Sequence, residues 1–289
     1  MFKKSTYLLC ICTFFVSYSC LARFDHDNTF NITVADDVKN DYLLFLNGRD
    51  PLAIKDFSGL HSRRDVVEII LVQQALHLGG NSHNYNLISN NSSQQAIQNL
   101  YEGSVLLTGT SVWQSMFVEQ DNIYFSVPII NNGQFESGLY THPENKSMLA
   151  VNSMQQLQLQ GAISNKNWSI DWYTLQSLAI SKIWHAERWS SMVEMVNSQQ
   201  ADFLLAPFQA TEDLSLQVNG IKLVPVPNVK IALRGTRHFA VSKNSEHSKQ
   251  ILQQLNRGLY ILKTQGIIKQ AYKQSGFFNN KVRDWKRLN

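Results

Sequence analysis

The chain has only three cysteines, Cys10, Cys12 and Cys20, and all of them stand within its first twenty residues. Beyond Cys20 no thiol is available for a disulfide, a nucleophile or a cysteine-ligated metal. Charge is also sparse, at 17% Asp, Glu, Lys and Arg. Between Arg64 and Lys146 there is no lysine or arginine at all. No stretch after the opening approaches the eighteen apolar residues of a membrane-spanning helix. Proline-rich or glycine-rich linkers and short-period repeats are missing too, which argues against beads on a string.

The opening reads as a secretory leader. Lys3-Lys4 precede the apolar run Tyr7–Val16, and small residues at Cys20 and Ala22 offer a cut after Ala22. The run is too short to cross a bilayer, and Ser17-Tyr18-Ser19 makes a poor lipoprotein signal ahead of Cys20. The expectation is a signal peptide over residues 1–22 and a mature chain exported to the periplasm. The full chain is 44% hydrophobic and 11% aromatic, a globular composition.

Charge is divided unevenly along the mature chain. Residues 23–213 carry 10 basic and 20 acidic side chains, whereas 214–289 carry 14 basic and 2 acidic. Such a basic end is either a set of solvated helix faces or a docking surface for an anionic membrane or acidic partner. Nucleic acid is not expected as a partner of an exported chain.

Strands and helices alternate, the pattern of an α/β fold. Asn31–Ala35 reads as a strand. A helix follows from Asp65 to Leu78, with Val66, Ile69, Ile70, Val72 and Leu76 at helical spacing and Gly79-Gly80 as its stop. Strand Tyr85–Ile88, helix Ser92–Tyr101 and strand Ser104–Thr108 come next. Further strands are expected at 161–164, 182–184, 201–206 and 221–226, with helices from Asp171 and over Ser190–Asn197. Near the end, Ile251, Leu252, Leu255, Leu259 and Leu262 form one stripe of a helix closed by Gly266, and a shorter helix runs over Ile267–Tyr272.

Several segments in this order resemble the type II periplasmic solute-binding proteins of family 3, the amino-acid-binding-like group. They are Leu100-Tyr-Glu-Gly-Ser104, Tyr124-Phe-Ser-Val-Pro128 and Met192 through Phe203. His238-Phe-Ala-Val-Ser-Lys243 follows, then Leu255-Asn-Arg-Gly-Leu259 and Gly266 through Tyr272. The resemblance implies two mixed sheets flanked by helices, in two lobes joined by hinge strands, with a ligand between them. It implies a discontinuous first lobe (23–138 and 238–289), a second lobe (139–237), and crossings near Gly138–His142 and Arg237–Lys243.

Three devices that such proteins use for amino acids are not where the pattern puts them. The carboxylate-gripping arginine falls on Glu119, the ammonium-binding aspartate falls near Pro207, and the Gly-Thr pair is replaced by Ser164–Ser169. A ligand carboxylate near Glu119, Asp121 and Glu136 would meet like charge. A standard amino acid is therefore not the expected ligand.

The positive signal is aromatic. Trp168, Trp172, Tyr173, Trp184 and Trp189 cluster, and Trp113 follows a strand entering the expected cleft. Core packing is the ordinary role of such rings. Trp113 and Trp168 are better placed, since each follows a strand end, where open α/β sheets bind ligands. The candidate ligand-binding set is Trp113, Glu119, Lys166, Trp168 and Ser169, suited to a sugar-like, cyclic or cationic solute.

Enzyme motifs fare worse. Gly109-Thr-Ser111-Val-Trp113 lacks the second glycine of a nucleophile elbow, and His185-Ala-Glu187 lacks the cysteines of a zinc deaminase. No phosphate loop or metal-ligand spacing appears, so no cofactor, metal or catalytic residue is expected. The leading expectation is a monomeric binding protein serving a membrane permease or a sensor. The alternatives are a ligand-free scaffold acting through protein contacts, and a dehydratase on this fold using Glu119.

Overall fold

The computed structural model describes residues 28–117 and 120–289. The leader expected over residues 1–22, Cys20 and Glu119 lie outside the described residues.

Strand β1 (Thr29–Ala35) alternates its inward residues Phe30, Ile32 and Val34 with outward ones. It runs directly into helix α1 (Asp36–Leu46), whose first turn carries Asp36 and Asp37 against the positive end of the helix dipole. Val38, Tyr42, Phe45 and Leu46 bury one face, and Asn47 ends the helix in the left-handed region at φ 45°. Helix α2 (Arg64–Leu78) is the central element: every residue from Val66 to Leu76 is buried, Glu68, Gln73 and Gln74 included. Its buried amides find partners, Gln73 donating to the Tyr42 hydroxyl at 2.8 Å and Gln74 to the Ile54 carbonyl at 2.8 Å.

Next come β2 (Asn84–Asn90), α3 (Ser93–Glu102, capped by Ser92), β3 (Leu107–Thr108), β4 (Val112–Trp113) and β5 (Ile123–Phe125). The chain then enters a second layer set: β6 (Phe135–Thr141), α4 (Lys146–Leu149), α5 (Met154–Gln158), β7 (Gly161–Ser164), α6 (Ser169–Ser177) and β8 (Lys182–His185). After these follow α7 (Trp189–Asn197), β9 (Phe203–Pro207), β10 (Leu216–Val218), β11 (Ile221–Pro225) and β12 (Val229–Leu233). Two short strands, β13 (Arg237–His238) and β14 (Ala240–Ser242), lead back to α8 (Ser248–Thr264), α9 (Ile267–Gln274) and a last strand β15 (Lys286–Arg287).

The strands form two principal sheets. The first has the order β2-β1-β3-β14-β5, parallel among β2, β1 and β3, with β14 antiparallel to both neighbours. The second has the order β10-β11-β6-β9-β7-β8, with β12 also on β6 and β15 on β12. Helix α8 packs along α2 so closely that a Cβ added at Gly258 would lie 1.8 Å from the Ala75 carbonyl oxygen. Only glycine permits that approach.

The chain crosses between the sheets three times. The first two crossings run side by side, where Ile129 N–H donates to Arg237 O (2.9 Å) and Arg237 N–H to Ile130 O (3.0 Å). The first comes earlier than the Gly138–His142 expected from sequence, because Phe135 already pairs with Leu233 in the second sheet. A third crossing was not expected. After α9 the chain turns at Gly276, pressed so near Ala210 that a Cβ there would sit 2.4 Å from its backbone nitrogen. The tail then lies on the second sheet. Lys230 Nζ donates to the Val282 and Arg283 carbonyls, and the Asn289 side chain makes two 2.9 Å bonds to the backbone of Ala232.

Candidate functional site

Where the two sheets face each other across the hinge, a cavity of about 400 Å³ opens. A space of this size holds a small organic molecule. The α2 N-terminus, the β4 region and β13 supply one wall, and the start of α6, the start of α7 and the end of β9 supply the other.

A buried charge network stands behind the first wall. Glu68 is fully buried and accepts at both oxygens, from Ser111 N–H (2.7 Å), the Ser111 hydroxyl (2.8 Å) and the Tyr272 hydroxyl (2.8 Å). All three bonds use the carboxylate as acceptor. Arg237, 8% exposed, donates from Nε to Ser111 Oγ (3.0 Å) and from Nη2 to the Ser111 carbonyl. Its guanidinium lies 4.8 Å from the centre of the Trp113 ring. Arg64 donates to Asp65 at 2.5 Å and lies 5.0 Å over Phe135 and 5.8 Å over Phe277. Arg64 Nε and Nη1 are nevertheless buried without a hydrogen-bond partner, so the guanidinium is only partly satisfied by the protein. At the rim Arg63 joins Asp41 (2.7 Å) and Asp37 (2.8 Å).

The titration behaviour follows from these neighbours. Burial together with the like charge of Arg64 pulls Arg237 down to about 10, against the opposing pull of Glu68 and Asp65, so it stays charged at neutral pH. Burial works against ionisation of Asp65, but Arg64, Arg63 and Arg237 outweigh it and hold the carboxyl below its ordinary value. Burial and the adjoining Glu68 raise the Tyr272 hydroxyl well above its usual range.

The second wall is aromatic. Trp168, at the N-cap of α6, pairs with Trp189 at 6.0 Å between ring centres. In the first turn of α6, Asp171 also lines the cavity, partly buried. Among the described residues no ion pair or hydrogen bond ties its carboxylate to another side chain. Burial pushes it up to about 6, despite the charges of Arg237 and Arg64 that act the other way.

Of the residues singled out from sequence, Trp113 and Trp168 line the cavity from opposite walls. Trp113 is 4% exposed and packs on Phe135 with 5.3 Å between ring centres. Ser169 stands next to Trp168 with a buried hydroxyl that finds no partner. Lys166 is exposed, apart from the cavity lining, with its ammonium 5.7 Å from the Trp172 ring. Arg64, Arg237 and Asp171 were missed. The sequence held a signal for the two cations alone: Arg64 stands at the edge of the long cation-free stretch, and Arg237 immediately before the His238–Lys243 motif.

Two mixed sheets, helices on their faces and a shared cleft at paired crossings define the type II periplasmic-binding-protein fold, which the sequence motifs had implied. By sequence alone the chain matches no family model and no curated protein. Solved structures do match. The periplasmic VFT2 domain of BvgS from Bordetella pertussis aligns over 85% of this chain and 92% of its own, at 15% identity and a TM-score of 0.57. An ancestral amino-acid-binding protein, AncCDT-1, described as a precursor of cyclohexadienyl dehydratase, aligns over 86% and 95% at 12% identity and a TM-score of 0.53. The GluR0 ligand-binding core of Nostoc punctiforme, in complex with L-glutamate, aligns over 87% and 99% at 17% identity and 0.50. At these identities the shared property is the fold. Among the described residues no helix is long and apolar enough to cross a membrane, and no group of three His, Cys, Asp or Glu side chains could hold a metal.

Proposed function

We propose that the chain is an exported, periplasmic solute-binding protein that captures a small ligand between its lobes and performs no chemistry on it. The observation that carries this reading is the cavity at the hinge, walled by Trp113 on one side and by Trp168 and Trp189 on the other. Closure about the paired crossings would bring both walls onto one solute. The protein would then act as a monomer, presenting the closed form to a membrane permease or a sensor. Screening metabolites for a rise in melting temperature tests this, because a ligand that binds only the folded state must raise it. Trp113→Ala and Trp168→Ala should each abolish a discovered shift. Affinity surviving both would displace the site.

A second reading is a scaffold that binds no solute and works through protein contacts. The hydrogen bonds that tie Arg237 to Ser111 within the protein favour it. No melting shift from sugars, amines, peptides and amino acids alike is its expected result.

A further inference from the structure

Helix α8 is divided between two faces. Ile251, Leu255, Leu259 and Leu262 are buried on the side that packs along α2. The other side carries Lys249, Gln253, Arg257, Tyr260 and Lys263, each three or four residues from the next, which is the spacing of one helix face. All of them are exposed, Tyr260 to 68%. At the rise of an α-helix the row is about 21 Å long. After the turn at Gly266, α9 adds Lys269 and Lys273, one helical turn apart and both exposed.

Elsewhere in the chain cations are commonly tied down. Lys39 donates to the Leu87 carbonyl (2.8 Å), and Lys230 is buried against Glu136 (2.9 Å). Among the described residues, no ion pair or hydrogen bond engages the side chains of Lys249, Arg257, Lys263, Lys269 or Lys273. Between Glu246 and Asp284 no acid stands to balance them. The acids nearest in place are Glu246, 3.3 Å from His247 at the start of the row, and Asp56, which follows Lys55 where that residue's carbonyl accepts from Gln270 of α9. A row of like charges in solvent repels itself, and an anionic counter-surface relieves the repulsion.

The row is poorly made for the core of a protein interface, where lysine is depleted. Four of the five cations are lysines, and none of these residues lines the cleft. It is well made for a bilayer surface. Lysines are hydrated point charges suited to headgroup phosphates, and Tyr260, between Arg257 and Lys263, is of a type enriched at headgroup level.

We infer that the outer face of α8, with the adjoining lysines of α9, docks on a bilayer of anionic phospholipid. The contact is electrostatic and peripheral. Residues 23–213 carry 10 basic and 20 acidic side chains, so an anionic surface attracts this face and repels that part of the chain, which sets the orientation. The face is separate from the cleft, and the inference stands whether or not a solute binds there.

The test sediments the protein, as cells process it, with vesicles of phosphatidylcholine alone or with about 30% phosphatidylglycerol, in about 0.02 M and about 0.3 M salt. Binding is expected to the phosphatidylglycerol vesicles in low salt only. Lys249→Glu/Arg257→Glu/Lys263→Glu should weaken it about tenfold or more, since each basic side chain at such a surface is worth about fivefold. Lys146→Glu/Lys182→Glu/Arg234→Glu makes the same change of net charge at exposed sites outside α8 and should cost less than about threefold. Melting temperature checks that both variants fold, and the triple glutamine variant at Lys249, Arg257 and Lys263 replaces the first where glutamate impairs folding. Three results overturn the inference. One is no binding to phosphatidylglycerol vesicles in low salt, including the case in which soluble polyglutamate binds and needs the α8 cations, which would make the partner an acidic protein. Another is equal binding to phosphatidylcholine alone. The third is an equal loss in the two charge-reversal variants, which would make net charge responsible and not this face.

Discussion

The two walls of the cleft are made of different materials. On the first, Glu68, Ser111, Arg237 and Tyr272 form one connected network, and Arg64 pairs with Asp65. On the second, among the described residues, the Ser169 hydroxyl is buried without a partner and Asp171 is bonded to no other side chain. A satisfied network resists change, because removing any member strands the others in a dry interior. Groups left unsatisfied lower stability in the empty protein and are available to a visitor. The first wall thus carries the connected network, although Arg64 Nε and Nη1 are buried there without a partner, and the second carries Asp171 and the Ser169 hydroxyl.

Replacing Glu68 with Ala should show this most strongly. It removes the acceptor of three hydrogen bonds and the counter-charge of Arg237, so urea unfolding should register a loss of about 3–5 kcal/mol. Tyr272→Phe removes one bond to that carboxylate and should cost about 1.5–3 kcal/mol in the same assay. The second wall should answer with the opposite sign. In the folded chain Asp171 titrates at about 6, above its ordinary value. The folded state therefore binds the extra proton, and stability falls as pH rises from about 4 through 6. Asp171→Asn should then gain about 1–2 kcal/mol at pH 7.5, allowing for partial solvent access, and nothing at pH 4. Thermal melts at the two pH values check the difference. Ser169→Ala should be nearly silent, within about 0.5 kcal/mol of the parent or slightly more stable, since the hydroxyl it deletes makes no bond. A large loss at Ser169 or Asp171 would erase the distinction between the walls.

Much of the fold was readable from sequence because it is written in local patterns. The buried core of α2 is a near-continuous apolar run stopped by glycines, and α8 carries a single stripe from Ile251 to Leu262. Helix α1 escaped notice. Its polar first half and its Tyr42–Leu46 block show no clean period, and the helix leaves Leu43 and Leu44 more than half exposed. Of the residues that line the cavity, only aromatics were legible in the sequence. Trp113 and Trp168 follow strand ends, a local signal, but the polar groups are gathered over long distances. Arg237 meets Ser111 across 126 positions and Tyr272 meets Glu68 across 204. Counting along one motif to Glu119 found no cation, because the cations arrive from a helix start and a hinge strand. The tail escaped for a similar reason. Its partner is an edge strand more than fifty residues upstream, and β15 is two residues long.

That tail also changes what the molecule is topologically. The first sheet needs β14 from after the second crossing, and the second sheet receives β15 from after the third. Each lobe is thus sewn from separate stretches of one thread. A single peptide cut, wherever it falls, releases neither lobe whole, so a protease that nicks the hinge leaves two interlaced fragments.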